Sequence, residues 1–284
     1  MLRLSMGPIA VDAPAMRVLR ASPDVVARLR TAPPEAGRVH SVFERALNLA
    51  WHDGRLLTLQ GPERLLAPFA ATVERLPHPG ALRAGVSARR LADTLSLGGT
   101  RFEWRDATTV DTAMPESDSA PGPTLAVLLA EPPAESGPVL SSATGRSARS
   151  RLAEGVRRRD PGAFLEGALG LVGLGEGLTP AGDDCLVGAL AVLHRFSRSW
   201  LRAHPQIEAS VSRAAATTTL VAGEFIVHAL AGHFAESLLD LMTADSSAAA
   251  ARAAERLLRT GATSGADALH GVRLALTALG ASRP

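Results

Sequence analysis

The densest run of chemistry-bearing residues is Gly-Leu-Gly-Glu-Gly-Leu-Thr-Pro-Ala-Gly-Asp-Asp at positions 173–184. Glycines at alternate positions, Gly173, Gly175 and Gly177, allow positive φ and let the backbone approach a bound group closely. Thr179 followed by Pro180 reads as an N-cap and first helical residue. Backbone N–H groups at such a helix start form an anion site, reinforced by the helix dipole. The loop lacks the Gly-Lys-Ser/Thr ending of a nucleotide P-loop. Its G-x-G-x-G spacing, with no βαβ unit around it, also excludes a dinucleotide fingerprint. Asp183 and Asp184 suit the dipole but repel a bare phosphate. Three readings stand side by side: Mg²⁺ bridging carboxylate and phosphate, a carboxylate accepting hydrogen bonds from a substrate amide, or capping carboxylates on an ordinary tight turn.

A second segment repeats part of the first. Gly182, Asp184, Leu186 and Gly188 match Gly265, Asp267, Leu269 and Gly271 at one constant offset of 83 residues. In both segments the later glycine lies one helical turn after the aspartate, on the same face. Room is left there for a ligand or a neighbouring backbone. The expectation is two helix starts presenting Asp184 and Asp267 to one pocket; the competing explanation is chance in a chain rich in Ala, Gly and Leu.

The remaining polar candidates are weaker. Glu224 near a helix start could line a pocket, whereas His228 and His233, five residues apart, point to different helix faces and do not make a metal pair. His40, Ser41 and Asn48 are polar residues on otherwise apolar strands and read first as hydrogen-bonded structural groups. Arg146, Arg149, Arg151, Arg157, Arg158 and Arg159 form the densest basic stretch, without the aromatic interleaving of a nucleic-acid surface. One of these arginines could clamp an anionic substrate.

Composition narrows the chemistry. All 30 basic residues of the 284 are arginine, tyrosine is absent, and Cys185 is the single cysteine. Schiff-base chemistry, a phenolic acid or base, an internal disulfide and a cysteine-rich zinc site are thereby excluded. The pI of about 9.7 reflects the lack of groups titrating between histidine and arginine, since the formal net charge is only +2. No nucleic-acid partner is expected. The first fifteen residues lack the apolar segment of a leader peptide, and no apolar run is long enough to span a bilayer. A cytoplasmic protein without membrane contact is the expectation.

The elements that must position these residues divide the chain in three. Residues 1–110 read as β-rich, with a hairpin around His52-Asp53-Gly54-Arg55 and a short helix over Arg64 to Leu76. Residues 111–146 hold six prolines and read as a linker or long loop, with Leu125 to Ala130 as one element inside it. Residues 147–284 read as helices, with Cys185 to Leu193, apolar on every side, at the centre of a bundle. The fold class expected is α+β, a β-rich N-terminal domain followed by an α-helical bundle.

The string at 173–184 resembles the signature of the AllH family, whose named member is a subunit of the oxamate carbamoyltransferase of anaerobic allantoin catabolism. Val39-His40-Ser41-Val42-Phe43 with Ala46-Leu47-Asn48-Leu49, and Thr263-Ser264-Gly265 with Asp267 and Gly271, are similar to the family's N- and C-terminal motifs. Two positions depart from the family pattern: Ala181, where serine is expected, and Glu176, where proline is expected. The resemblance implies carbamoyl transfer between carbamoyl phosphate and oxamate, in an assembly with two unrelated sister subunits. It implies a site with Asp183, Asp184 and Asp267 in catalytic roles. His40, Ser41, Asn48, Gly175, Gly177, Thr179, Gly182, Glu224, Thr263, Ser264 and Gly265 would bind the small anionic substrate. No cofactor is required by this reading, with Mg²⁺ and a homo-oligomer left open. The alternative is a non-catalytic partner subunit that binds an anion or phosphometabolite.

Overall fold

A computed structural model describes residues 15–117, 120–130 and 137–280. The leader reading of residues 1–14 and parts of the proline-rich segment lie outside the described residues. The chain divides into two compact units, Met1–Asp111 and Thr112–Pro284.

The first unit runs β1 (Ala15–Ala21), α1 (Pro23–Thr31), β2 (Glu35–Val42), β3 (Ala46–Trp51), β4 (Leu56–Gln60), β5 (Ala70–Val73), β6 (Ser87–Leu91), β7 (Thr94–Leu97), β8 (Thr100–Glu103) and β9 (Thr108–Thr109). The strand order is β5-β4-β3-β2-β6-β7-β8-β1, and β1 pairs in turn with β5, so eight strands close into a barrel. Closure removes the exposed edges an open sheet would carry. β1 makes this possible by serving several neighbours. Residues Ala15 to Arg17 run parallel to β8, Val18 to Ala21 run antiparallel to β5, and Arg20 and Ala21 pair with β9. Val18, Val39, Leu49, Leu59, Leu95 and Phe102 fill the interior, and α1 adds Val25 and Leu29. α1 starts at the N-cap Ser22, which accepts from the Val25 N–H, with Pro23 at the first turn.

This corrects the α+β expectation. The β-rich part is a closed barrel with its own core, and the helical part has a separate core of its own. The sequence reading missed closure because the closing strand β5 lies inside the stretch read as a helix. Leu65, Leu66, Phe69 and Val73 imitate helical spacing, but Pro68 stands among them, and a proline inside a helix removes a hydrogen bond and clashes with the preceding turn. The hairpin of β3 and β4 forms around His52-Asp53-Gly54-Arg55, with Ala50 opposite Leu56.

The second unit comprises α2 (Pro123–Ala130), α3 (Ala143–Arg158), α4 (Pro161–Leu171), α5 (Ala181–Phe196), α6 (Arg198–Arg202), α7 (Pro205–Ala215), α8 (Leu220–Leu230), α9 (Glu236–Met242), α10 (Ser247–Leu258) and α11 (Ser264–Ala278). Within the proline-rich stretch, α2 contributes Leu125, Leu128 and Leu129 to the helical core. α5 is the central helix, buried from Gly182 to His194. The break between α8 and α9 falls at Gly232, whose φ of 87° ends the helix. None of the helices among the described residues is long and apolar enough to cross a membrane.

α5 and α11 lie side by side and parallel. A Cβ on Gly188 would stand 1.9 Å from the Ala268 carbonyl oxygen, and one on Gly271 would stand 1.8 Å from that of Cys185. The next backbone contacts are equally reciprocal, Gly188 against Val272 and Gly271 against Ala189. Each partner is the other's counterpart at the 83-residue offset, so the two segments are related by a local two-fold. The glycine after each aspartate therefore admits the neighbouring backbone.

Candidate functional site

Parallel packing brings two helix starts together. Each begins on a reverse turn that follows a helix, and each has a glycine where the new helix crosses the end of the old one. A Cβ on Gly182 would meet the Leu171 carbonyl oxygen at 2.1 Å, and one on Gly265 the Leu257 oxygen at 1.8 Å. Gly182 and Gly265 are thus packing residues. Gly173, Gly175 and Gly177 have φ of 72°, 126° and 93°, the left-handed conformations that glycine tolerates best.

The loop is pinned from within. Asp183 accepts from the Gly173 N–H at 2.7 Å on Oδ1 and from the Thr218 hydroxyl at 2.6 Å on Oδ2. Thr219, the N-cap of α8, accepts from the Ala222 N–H and donates its hydroxyl to the Leu178 carbonyl. Burial pushes the Asp183 carboxyl above the usual carboxylate range, and these two bonds to Thr218 and Gly173 only partly oppose it. Both oxygens being engaged, Asp183 positions the loop. Thr218 was the residue missed on sequence; only its place in the run Thr217-Thr218-Thr219 hinted at it.

Asp184 differs. Its carboxyl faces the hydroxyls of Ser264 and Thr179, which are hydrogen-bonded to each other at 2.7 Å and so have one proton between them left to give it, and Oδ2 is buried without a hydrogen-bond partner. Burial holds the Asp184 carboxyl well above its ordinary range, and repulsion from Asp267 and then Asp183 adds to this. Asp267, also buried, is raised by burial against a hydrogen bond from Thr263. Gly137 lies beside it, an added Cβ falling 4.0 Å from Asp267 Oδ1. The N-cap of α5 is Pro180, with no side-chain cap bond. The expectation of Thr179 as the cap is corrected: the helix begins one residue later, and the Thr179 hydroxyl is engaged with Ser264 at the start of α11.

Beneath this cluster lie Cys185, Arg149 and His270. Cys185 is buried, and burial pushes its thiol up to about 12, with Arg149 pulling down and Asp267 and Asp184 pushing up. Burial, then Arg149 and Arg273, lowers His270 to about 4. Its Nε2 meets Arg149 Nη1, and since a guanidinium only donates, Nε2 is the acceptor of a neutral ring. Arg149 is the inward member of the basic stretch. Arg151 is tied to Glu154 and Glu166, and Arg158 to Glu154.

The other predicted residues lie elsewhere. Glu224, 4% exposed, pairs with His228 one turn on at 3.5 Å. In the barrel, a β-bulge between Val39 and Ser41 interrupts the β2–β3 register, leaving His40 exposed. A polar chain then runs from His40 Nδ1 through Ser41 Oγ (3.1 Å) and Asn48 Nδ2 (3.0 Å) to Thr58, whose hydroxyl donates to Asn48 Oδ1 at 2.7 Å. Among the described residues no group of three or more His, Cys, Asp or Glu is arranged to hold a metal.

The family model described as oxamate carbamoyltransferase subunit AllH matches residues 171–276. It therefore starts at the last residue of α4 and takes in the glycine loop, α5 and nearly all of α11. A second model, the AllH family N-terminal domain, matches residues 17–110 and so spans the barrel. The chain belongs to the AllH family. No curated protein and no solved structure matches it. In this AllH-family chain the paired helix starts, with their three aspartates, fall wholly inside the segment matched to the carbamoyltransferase subunit.

Proposed function

We propose that the paired starts of α5 and α11 are the amide-binding site of a carbamoyltransferase subunit, with Asp184 receiving the substrate N–H. The observation that carries this is the buried, unpartnered Oδ2 of Asp184. A buried acceptor without a donor costs about 1–3 kcal/mol, and both oxamate and the carbamoyl group bring an NH₂ donor. Burial raises both carboxyls, and Asp267 repels the ionised form of Asp184; in this reading the two share one proton, so the pair offers one donor and one acceptor. In the transfer, the oxamate amide nitrogen bonds to the carbamoyl carbon and the C–O bond to phosphate breaks. The electron pair leaves with phosphate, and the amide proton passes to the ionised carboxylate. Raising a carboxyl toward neutrality makes it the better base.

The phosphate side is less well provided. The N–H groups of Gly173, Leu174, Gly182, Asp183 and Asp184 already donate inside the protein. This supports a division of labour in which a sister subunit holds most of the phosphate while this chain orients the amide. The carboxylates do not converge as a metal cage, so no step is assigned to Mg²⁺. The test is a thermal-shift titration of the isolated chain with oxamate and with oxalate, in which a second carboxylate stands in place of the amide. Oxamate should raise the melting temperature of wild type and not of Asp184→Asn, and oxalate should do neither. An equal response to the two acids would overturn the assignment.

A further inference from the structure

Buried polar atoms without hydrogen-bond partners concentrate at the far end of α5. They include a ring nitrogen of His194, Ser197 Oγ, Arg198 Nε and Trp200 Nε1. Such atoms are rare in native proteins, and each calls for a partner such as a ligand, ion or water. Most of these are donors, so what they lack is an acceptor. His194 and Arg198 also line a half-open cavity of about 260 Å³, with Arg202, Glu208, Leu201 and Ile207 among its walls. That is just below the usual range for small-molecule sites, which begins at about 300 Å³.

The charges around the cavity define the ligand. Burial, then Arg198, lowers His194 to about 4, with Arg202 adding to the effect against an opposing backbone hydrogen bond at Leu230. The ring is therefore neutral, and the lining carries Arg198 and Arg202 against Glu208, with Glu116 paired to Arg202 at the edge, so one carboxylate taking the place of Glu116 preserves the charge balance. Arg202 is 68% exposed and pairs with Glu116 at 3.7 Å, a partner that a ligand carboxylate would replace. The apolar wall of Leu201 and Ile207 asks for a short hydrocarbon body. The segment leading to Met114 holds one rim, where Arg198 donates to the Met114 carbonyl and the Met114 N–H donates to the Gly232 carbonyl at 2.8 Å.

We infer that this cavity is a second binding site, for a small monoanionic organic acid whose carboxylate is held by Arg198 and Arg202. It lies ten residues beyond Asp184 on the same helix, roughly 15 Å along the axis at 1.5 Å per residue. It is thus separate from the proposed amide site and does not depend on that reading. Dianionic phosphate fits poorly, because Glu208 opposes a second negative charge.

The experiment is calorimetric titration of the full chain with isobutyrate, with isobutylamine and inorganic phosphate as controls. Saturable binding of isobutyrate and not of the amine is expected, weakened by about tenfold or more in Arg198→Gln and in Arg202→Gln, the loss of a charge-assisted bond. The Arg202 side chain is 68% exposed, so Arg202→Gln keeps the fold and carries the test even where Arg198→Gln does not. Asp184→Asn should bind isobutyrate as wild type does. The inference is overturned by no saturable isobutyrate binding, which would leave water as the occupant. It is equally overturned by binding that Arg202→Gln leaves unchanged, or by binding that Asp184→Asn abolishes.

Discussion

Asp184→Asn should make the protein more stable at neutral pH while removing the group on which its proposed chemistry depends. Asp184 is 9% exposed, so solvent does little to screen its charge. Its Oδ2 has no donor, a deficit of about 1–3 kcal/mol, and Asp267 and Asp183 repel the ionised form. The amide keeps the shape, keeps an acceptor for Thr179 and Ser264, and places an N–H₂ within reach of neighbouring carboxylates. Relief of the deficit is worth about 1–3 kcal/mol, or a rise of roughly 2–12 °C in melting temperature at about 2–4 °C per kcal/mol. The pH dependence is equally specific. The folded carboxyl is raised above its unfolded value, so the folded state holds more protons and its stability is greatest below the unfolded value near 4. Stability then falls as pH rises toward the folded value. The advantage of the asparagine should therefore be absent near pH 4 and full above the raised value. Melting curves of wild type and variant, followed by helix circular dichroism across that range, measure it. A variant less stable than wild type at neutral pH, or a difference that does not change with pH, refutes the reasoning that the ionised carboxylate is held at a cost.

Three further outcomes follow from the same geometry. Gly271→Ala puts a methyl 1.8 Å from the Cys185 carbonyl oxygen and should cost about 3 kcal/mol or more as the parallel helices are forced apart, read as a large drop in melting temperature with the barrel intact. Thr218→Val leaves Asp183 Oδ2 without its 2.6 Å donor and should cost about 1–3 kcal/mol, with faster proteolysis within the glycine loop as the local readout. The Cys185 thiol, pushed up to about 12 by burial, should stay unlabelled by a thiol reagent at mildly alkaline pH in the native protein and label fully in denaturant, which counting labelled molecules by mass spectrometry decides.

How far the sequence could be read depended on the range of the interaction. The glycine loop and the 83-residue correspondence are local patterns, and each carries its physical cause in the residues themselves. Apolar residues on every side of Cys185 to Leu193 likewise betray a central helix, since such a surface is stable only when covered. Barrel closure was not legible, because it rests on β1 meeting β5 and β8 across long stretches of chain, and neither partner announces the other. Thr218 was hidden for the same reason, reaching the loop from the turn before α8, and nothing local marked Arg149 on α3 as the inward member of its basic stretch. Thr179 reads as a cap because the residue that engages its hydroxyl, Ser264, lies 85 residues away and only the fold brings it to 2.7 Å.

The central claim is that Asp184, backed by Asp267, receives the substrate amide at the junction of α5 and α11. The decisive measurement is carbamoyl transfer between carbamoyl phosphate and oxamate by an assembly reconstituted from the proposed sister subunits and this chain as wild type, Asp184→Asn or Asp267→Asn. The account predicts that Asp184→Asn lowers turnover by about 10²-fold or more, the scale of a lost general base, with Asp267→Asn impaired to a lesser degree. Wild-type turnover in an assembly carrying Asp184→Asn would contradict it.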